Sequence, residues 1–281
     1  MPIQSSNPLQ KHFRQPQLYI QLPSKGRWWT AGSVSIPPTG ELPVYSMTAR
    51  DELAIKTPDA LLNGQSTVDV IHSCIPDIKN AWDMPVVDLD AVLISIRQAT
   101  YGNKMDYVSV CPHCQYKNEH TADLGMIMSL VSCPDFDTTL RVGALEFYFK
   151  PETFRTYNAN SMRNFEEQRL IQSIANDSIS DEEKENQFTV MFKKLLDMTV
   201  NKIADNVAAI KTSDGDTIVD PGHIVDFFHN CDKTMWNSIK DHLEKLGSAN
   251  PIKELDVACD NDNCKKEYKA PLVFELSNFF G

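Results

Sequence analysis

Val108-Ser-Val-Cys111-Pro-His-Cys114-Gln-Tyr-Lys117 and Asp256-Val-Ala-Cys259-Asp-Asn-Asp-Asn-Cys264-Lys-Lys266 follow one pattern twice. Each runs strand-like residues into a cysteine, a tight turn and a second cysteine, then into a polar segment that leads away. Two residues separate the first pair and four the second, both within the roughly two-to-four-residue spacing of half a metal site. In such a turn, or knuckle, backbone N–H groups can point at thiolate sulfur. Two knuckles facing each other would offer Cys111, Cys114, Cys259 and Cys264, the tetrahedral four-thiolate set that zinc(II) prefers. A site closed by four protein sulfurs has no open position for water or substrate, so its Zn2+ is expected to be structural. Four thiolates around the ion leave a formal charge of about −2, which nearby donors and cations must offset. Lys117, Lys265 and Lys266 sit where they can do so.

Other readings of these cysteines remain open. The pairs could be unrelated and unligated. Cys111-Pro-His-Cys114 could be a redox dithiol, but Gln115-Tyr-Lys-Asn does not open the helix such a motif wants. His113 and His120 are alternative ligands. Cys74 and Cys231 fall on apolar helix faces and are read as core, while Cys133, before Pro134, has no assignment.

Between the two pairs the sequence is read as mainly helical. Residues 161–246 are expected to be helical, with Ser180-Asp-Glu-Glu183 as a capping box. Behind it Phe188, Met191, Phe192, Leu195, Thr199, Ile203, Val207 and Ile210 keep helical spacing. Asp220-Pro221 starts a further helix that Asn230 to Asp232 can divide. Asp214-Gly215 reads as a turn, and Thr139 to Phe149 as two short strands bending at Gly143.

Upstream, Leu18 to Leu22 alternate as a strand, and Ser33 to Val44, with its prolines, reads as a ribbon. Residues 46–102 form a helical unit: Thr48 with Asp51 makes a capping-box-like start, Thr57-Pro58 a second start stopped at Asn63-Gly64, and Ser66 or Thr67 a third. Asp88 to Tyr101 is the fourth helix, ended by Gly102, with Asp88 and Asp90 complementing its dipole. Trp28-Trp29, beside Lys25 and Arg27, could stack on bases or cations, but is read as packing the ribbon on the helices or filling a partner's groove.

The expected fold class is therefore α+β, mainly helical with short strands. Residues 1–16 form a flexible arm, 17–104 the ribbon and helical unit, and 105–281 a zinc-ribbon-like module (105–150 and 251–281) carrying a helical insertion at 151–250.

Composition narrows the function. The chain has 281 residues, 42% hydrophobic and 23% charged, which suits a folded chain and not a disordered one. No apolar run approaches the roughly 18 residues of a spanning helix. A net charge of −11 opposes nucleic-acid binding at long range. The N-terminal segment lacks a signal-peptide h-region, so a reducing compartment is expected and clustered cysteines point to metal sooner than disulfides. Phosphate-binding, zincin and nucleophile-elbow motifs are absent, and no catalytic residues or small-molecule substrate are assigned.

One resemblance extends this reading. Residues 16–29 (PQLYIQLPSKGRWW), 40–82 (GELPVYSMTARDELAIKTPDALLNGQSTVDVIHSCIPDIKNAW) and 88–102 (DLDAVLISIRQATYG), followed by Cys111-Pro-His-Cys114, resemble the baseplate hub subunits of T4-like contractile-tailed bacteriophages. The resemblance spans about the first 135 residues. It implies a non-enzymatic structural or assembly role in the tail baseplate, other baseplate and tail subunits as partners, and a location in the virion or in the host cytoplasm during assembly. The rival reading is a zinc-ribbon nucleic-acid-binding protein, motivated by Lys104, Lys117, Lys265, Lys266 and Lys269 around the knuckles.

Overall fold

The computed structural model describes residues 9, 12–56, 64–176, 181–248 and 254–271. Among these residues the chain is α+β, with eight α-helices and four small antiparallel sheets. The Thr57-Pro58 helix start, Asn63 and the capping box begun by Ser180 lie outside the described residues, as do the side chains of Phe188, Met191 and Phe192 and most of the arm.

The N-terminal ribbon is β1 (Pro16–Gln21) paired with β2 (Glu41–Tyr45). Three helices follow: α1 (Ala49–Ile55), α2 (Gln65–Cys74) and α3 (Val86–Tyr101). The expected capping box is present, the Thr48 side chain accepting from the Asp51 backbone and the Asp51 carboxylate from the Thr48 backbone. Gly102, at φ 85°, ends α3 in a conformation that favours glycine. Leu89, Val92, Leu93, Ile94 and Ile96 of α3 are all buried. The helix is thus covered by the ribbon and α2 on more sides than the single apolar face read from the sequence. Ile20, Leu42, Val44, Ile71, Met84 and Phe154 complete this first core.

Two interactions of the ribbon add to the sequence reading, and Trp29 packs the ribbon on the helical unit as that reading had it. Asp88 is fully buried and acts as a clamp as well as sitting in the first turn of α3. It accepts from the Ser24 backbone N–H at 2.7 Å, the Ser24 hydroxyl at 2.5 Å and the Trp29 indole N–H at 2.8 Å. Burial pushes its carboxyl up, against these three hydrogen bonds. Trp28 instead meets Phe136 edge-on at 5.3 Å, with Arg27 above its ring. Both tryptophans therefore have intramolecular partners.

Strands β3 (Lys104–Val110) and β4 (Lys117–Asp123) form a hairpin whose base enters the first core through Met105 and Ala122. The short helix α4 (Leu124–Leu130) follows, capped by Asp123, which accepts from the Gly125 and Met126 backbones; its seven residues carried no sequence expectation. Next come β5 (Leu140–Val142) and β6 (Leu145–Phe149), turning at Gly143 as expected. Helices α5 (Phe154–Asn176) and α6 (Asp181–Asp205) lead into β7 (Val207–Thr212) and β8 (Thr217–Ile218).

Here the reading of 161–246 as helical is corrected. β7 pairs with β6, and β8 with β7, closing a four-stranded sheet in the order β5-β6-β7-β8. Val207 and Ile210 keep helical spacing with Ile203, but they are sheet residues. They bury against Phe147, Phe149, Ile224 and Phe228 in a second core. α7 (Pro221–Asn230) and α8 (Lys233–Ser248) cover that sheet, and the break between them falls where Asn230 to Asp232 placed it. The chain ends its described part in the hairpin β9 (Glu254–Ala258) and β10 (Glu267–Pro271).

Candidate metal centre

Each knuckle is the end of a hairpin. Val110 pairs with Lys117 at the tip of β3–β4, and Ala258 with Glu267 at the tip of β9–β10. Beyond those pairs the two turns share their closing hydrogen bond. The Cys111 N–H donates to the Tyr116 carbonyl at 2.9 Å, and the Cys259 N–H to the Lys266 carbonyl at 3.0 Å. The residue after each second cysteine, Gln115 at φ 60° and Lys265 at φ 48°, is left-handed. That conformation costs a non-glycine residue about 1–3 kcal/mol and persists only where its surroundings demand it. The longer second knuckle absorbs its extra residues at Asn261, whose side chain accepts from the Asn263 N–H at 3.0 Å.

The two knuckles face each other. Cys111 Sγ lies 3.9 Å from Cys264 Sγ, and Cys114 Sγ lies 3.6 Å from Cys259 Sγ. All four ligand atoms fall within 4.8 Å of one another. A disulfide would need about 2.05 Å, and all four are free thiols. Sulfurs about 2.3 Å from a central zinc stand about 3.8 Å apart in a regular tetrahedron, close to both cross-knuckle distances. The donor set therefore fits a soft, four-coordinate divalent ion. His120 is turned to other partners, and among the described residues no metal-ligating group besides the four cysteines joins the cluster.

The thiols show the strain of proximity. Burial pushes the Cys111 thiol up, but the backbone N–H groups of His113 and Cys114, with neighbouring thiols, outweigh it and hold it at about 7. Cys114 accepts a backbone N–H from Tyr116, yet burial and the three adjacent sulfurs push it up to about 12. One thiol poised to ionise beside one that resists is what a crowded set of sulfurs does when negative charge must be shared. Among the lysines expected to offset the site, Lys265 is held by Asp262 at 2.9 Å and by the Asp260 carbonyl at 3.0 Å. These acidic neighbours, and Cys259 after them, draw its ammonium up.

Sequence reasoning missed the polar seam behind the sulfurs. The Tyr268 hydroxyl sits 2.6 Å from the Ser109 hydroxyl, accepts from the Asn118 amide at 2.9 Å and lies 3.3 Å from His120 Nε2. His120 Nε2 also meets the Ser109 hydroxyl at 3.0 Å, and Asn118 Oδ1 accepts the Asp260 N–H at 2.8 Å. Ser109, Asn118 and Tyr268 are buried. This seam joins residues about 150 positions apart, so no local pattern announces it. Within it the Ser109 hydroxyl and His120 Nε2 both meet the Tyr268 hydroxyl, so the serine–histidine pair is tied to the C-terminal hairpin.

Magnitudes rank the contributions. The apolar cluster here is small, Cys111, Cys259, Tyr268 and Ala270. Burying a side chain the size of Tyr268 contributes about 2–3 kcal/mol, and each neutral hydrogen bond about 1 kcal/mol net. A structural zinc supplies about 10–16 kcal/mol of apparent folding energy in small modules. An ion at the four sulfurs would dominate this region.

A family model described as T4 bacteriophage base plate protein matches residues 38–281. No curated protein and no solved structure matches the chain.

Proposed function

The chain belongs to the T4 bacteriophage base plate protein family, and from that premise we propose that it is a structural or assembly subunit of the baseplate hub, built around a structural zinc site at Cys111, Cys114, Cys259 and Cys264. Family membership implies a place in the phage tail and contacts with other tail and baseplate proteins. Assignment to the hub rests on the resemblance of the ribbon and helical unit, residues 16–102, to hub subunits. A period in the host cytoplasm during assembly belongs to the same proposal.

The observation that carries the reading is the convergence of four sulfurs from two hairpins within 4.8 Å. Zinc held by four thiolates braces backbone and has no free position for a reactant. The division into a ribbon and helical unit, a zinc-ribbon-like module and an insertion fits this scaffold role. That division gives β5 and β6 to the module, residues 105–150, whereas they share one sheet with β7 and β8 and the second core with the insertion.

The nucleic-acid alternative loses its motivating charge. Within 104–123 and 254–271 the sequence has five lysines against eight aspartates and glutamates. Lys265 and Lys269 are engaged with Asp262 and Glu254. Among the described residues no helix is long and apolar enough to cross a membrane.

The test is recovery of a tagged chain from infected cells at high salt, with the protein composition of purified virions measured alongside. The reading predicts co-purification with hub subunits. Salt-sensitive binding to single-stranded DNA, with no baseplate partner, would replace it with the alternative.

A further inference from the structure

We propose that metal occupancy latches the C-terminal hairpin onto the molecule: the ion seats β9–β10 against β3–β4, and its loss frees residues 254–271 while both large cores stay folded. This inference rests on the zinc reading and adds what the ion controls.

The attachment of β9–β10 is narrow. Its ladder is internal, five register pairs between its own two strands, and it forms a sheet separate from β3–β4. No backbone-to-backbone hydrogen bond joins the two hairpins among the described residues. β9 has no buried side chain, and β10 buries Tyr268 and Ala270. Leu255 adds a partly buried contact with the first core. Among the described residues the rest is the sulfur cluster with the small apolar cluster around it, flanked by Tyr107 and Val257, the Tyr268 hydroxyl, the Asp260 N–H bond to Asn118 and the Asn261 amide donating to Cys114 Sγ at 3.9 Å.

The other hairpin is held differently. β3–β4 is rooted at its base by Met105 and Ala122 in the first core, and by the Leu124 N–H bond to the Asn103 carbonyl. Its tip, with Cys111 and Cys114, has no such root. A chelator that takes the ion leaves four thiolates to be protonated by solvent, and the sulfurs then lose their common partner. The hairpin with the fewest other contacts departs. Its departure uncovers Ser109, Asn118 and His120, polar groups now engaged by Tyr268 and Asp260. The ion therefore regulates access to a polar strand face.

The experiment uses the full chain, purified under reductant, with its zinc measured by plasma mass spectrometry. Hydrogen exchange is then followed with and without excess chelator. Exchange across 254–271 and 108–118 is expected to rise at least about 100-fold, while 86–101 and 207–212 change less than about threefold, and added zinc restores protection. A rise across the whole chain, or none anywhere, overturns the latch and leaves the metal reading standing. Purified protein without metal overturns both. Tyr268→Phe separates the ion from the polar seam: it should keep zinc and keep 254–271 protected. Release of the hairpin in that variant with zinc still bound would make the tyrosine, and not the ion, the latch.

Discussion

The first core and the cysteine module both hold distant segments together, and they do so by different physics. Among the described residues the first core gathers 24 buried apolar residues, from Ile20 to Phe154. The module gathers four, two of them cysteines. In the first core each contact is small and replaceable, so removing one leaves the rest. In the module one ion would replace that multitude, so its loss removes most of the attachment at once. The difference teaches where fragility sits: spread thin over the side chains of the first core, and, with the ion bound, concentrated at four sulfurs in the module.

Four measurements break or sharpen this contrast, from the largest effect to the smallest. Cys111→Ser should abolish metal binding and the protection of 254–271, a loss on the order of the roughly 10 kcal/mol a structural zinc contributes, with α3 left intact. Metal analysis and hydrogen exchange on the same sample check it. Ile71→Ala, at a side chain with no exposure, should cost about 2–5 kcal/mol. Denaturant unfolding should show that loss in the first core with zinc still bound at the wild-type ratio. Loss of metal in that variant would mean the regions are not independent.

Asp88→Asn comes third. The amide cannot accept from all the donors the carboxyl now serves, so about 1–3 kcal/mol should go. The pH dependence carries a definite sign. Burial raises the folded carboxyl above its unfolded value, so the folded state holds the proton more tightly and its contribution is complete below about pH 4. It is lost as pH rises through the folded value. The difference between wild type and Asp88→Asn should therefore shrink from pH 4.5 to 7.5 in denaturant titrations. The smallest effect belongs to Tyr268→Phe, about 1–2 kcal/mol from the seam, read as a lower midpoint for unfolding of the cysteine module at full zinc occupancy.

Much of this was legible in the sequence for identifiable reasons. Cysteine spacing is local, so both knuckles could be read, and their similar flanks implied that they form a pair. Thr48 with Asp51, Gly102 and Asp220-Pro221 are also local signals, and each marks a helix boundary in the structure. Val207 and Ile210 misled because they lie four and seven residues after Ile203, a helical spacing; their own separation of three buries both on one strand face only because the ladder is irregular between Tyr148 and Phe149, which leaves Ala208 as an extra residue in β7. Asn206, whose N–H caps the Ile203 carbonyl and whose carbonyl receives the Lys150 N–H, is where the chain changes course. Asp88 looked like a dipole complement because its three donors come from about 60 positions away. The seam at Tyr268 was beyond reading for the same reason.

The central claim is that four thiolates share one zinc. X-ray absorption at the zinc edge on freshly purified, reduced protein tests it most directly. The account predicts one zinc per chain surrounded by four sulfurs at about 2.3 Å. Nitrogen or oxygen neighbours in place of sulfur, or protein free of zinc, would contradict it.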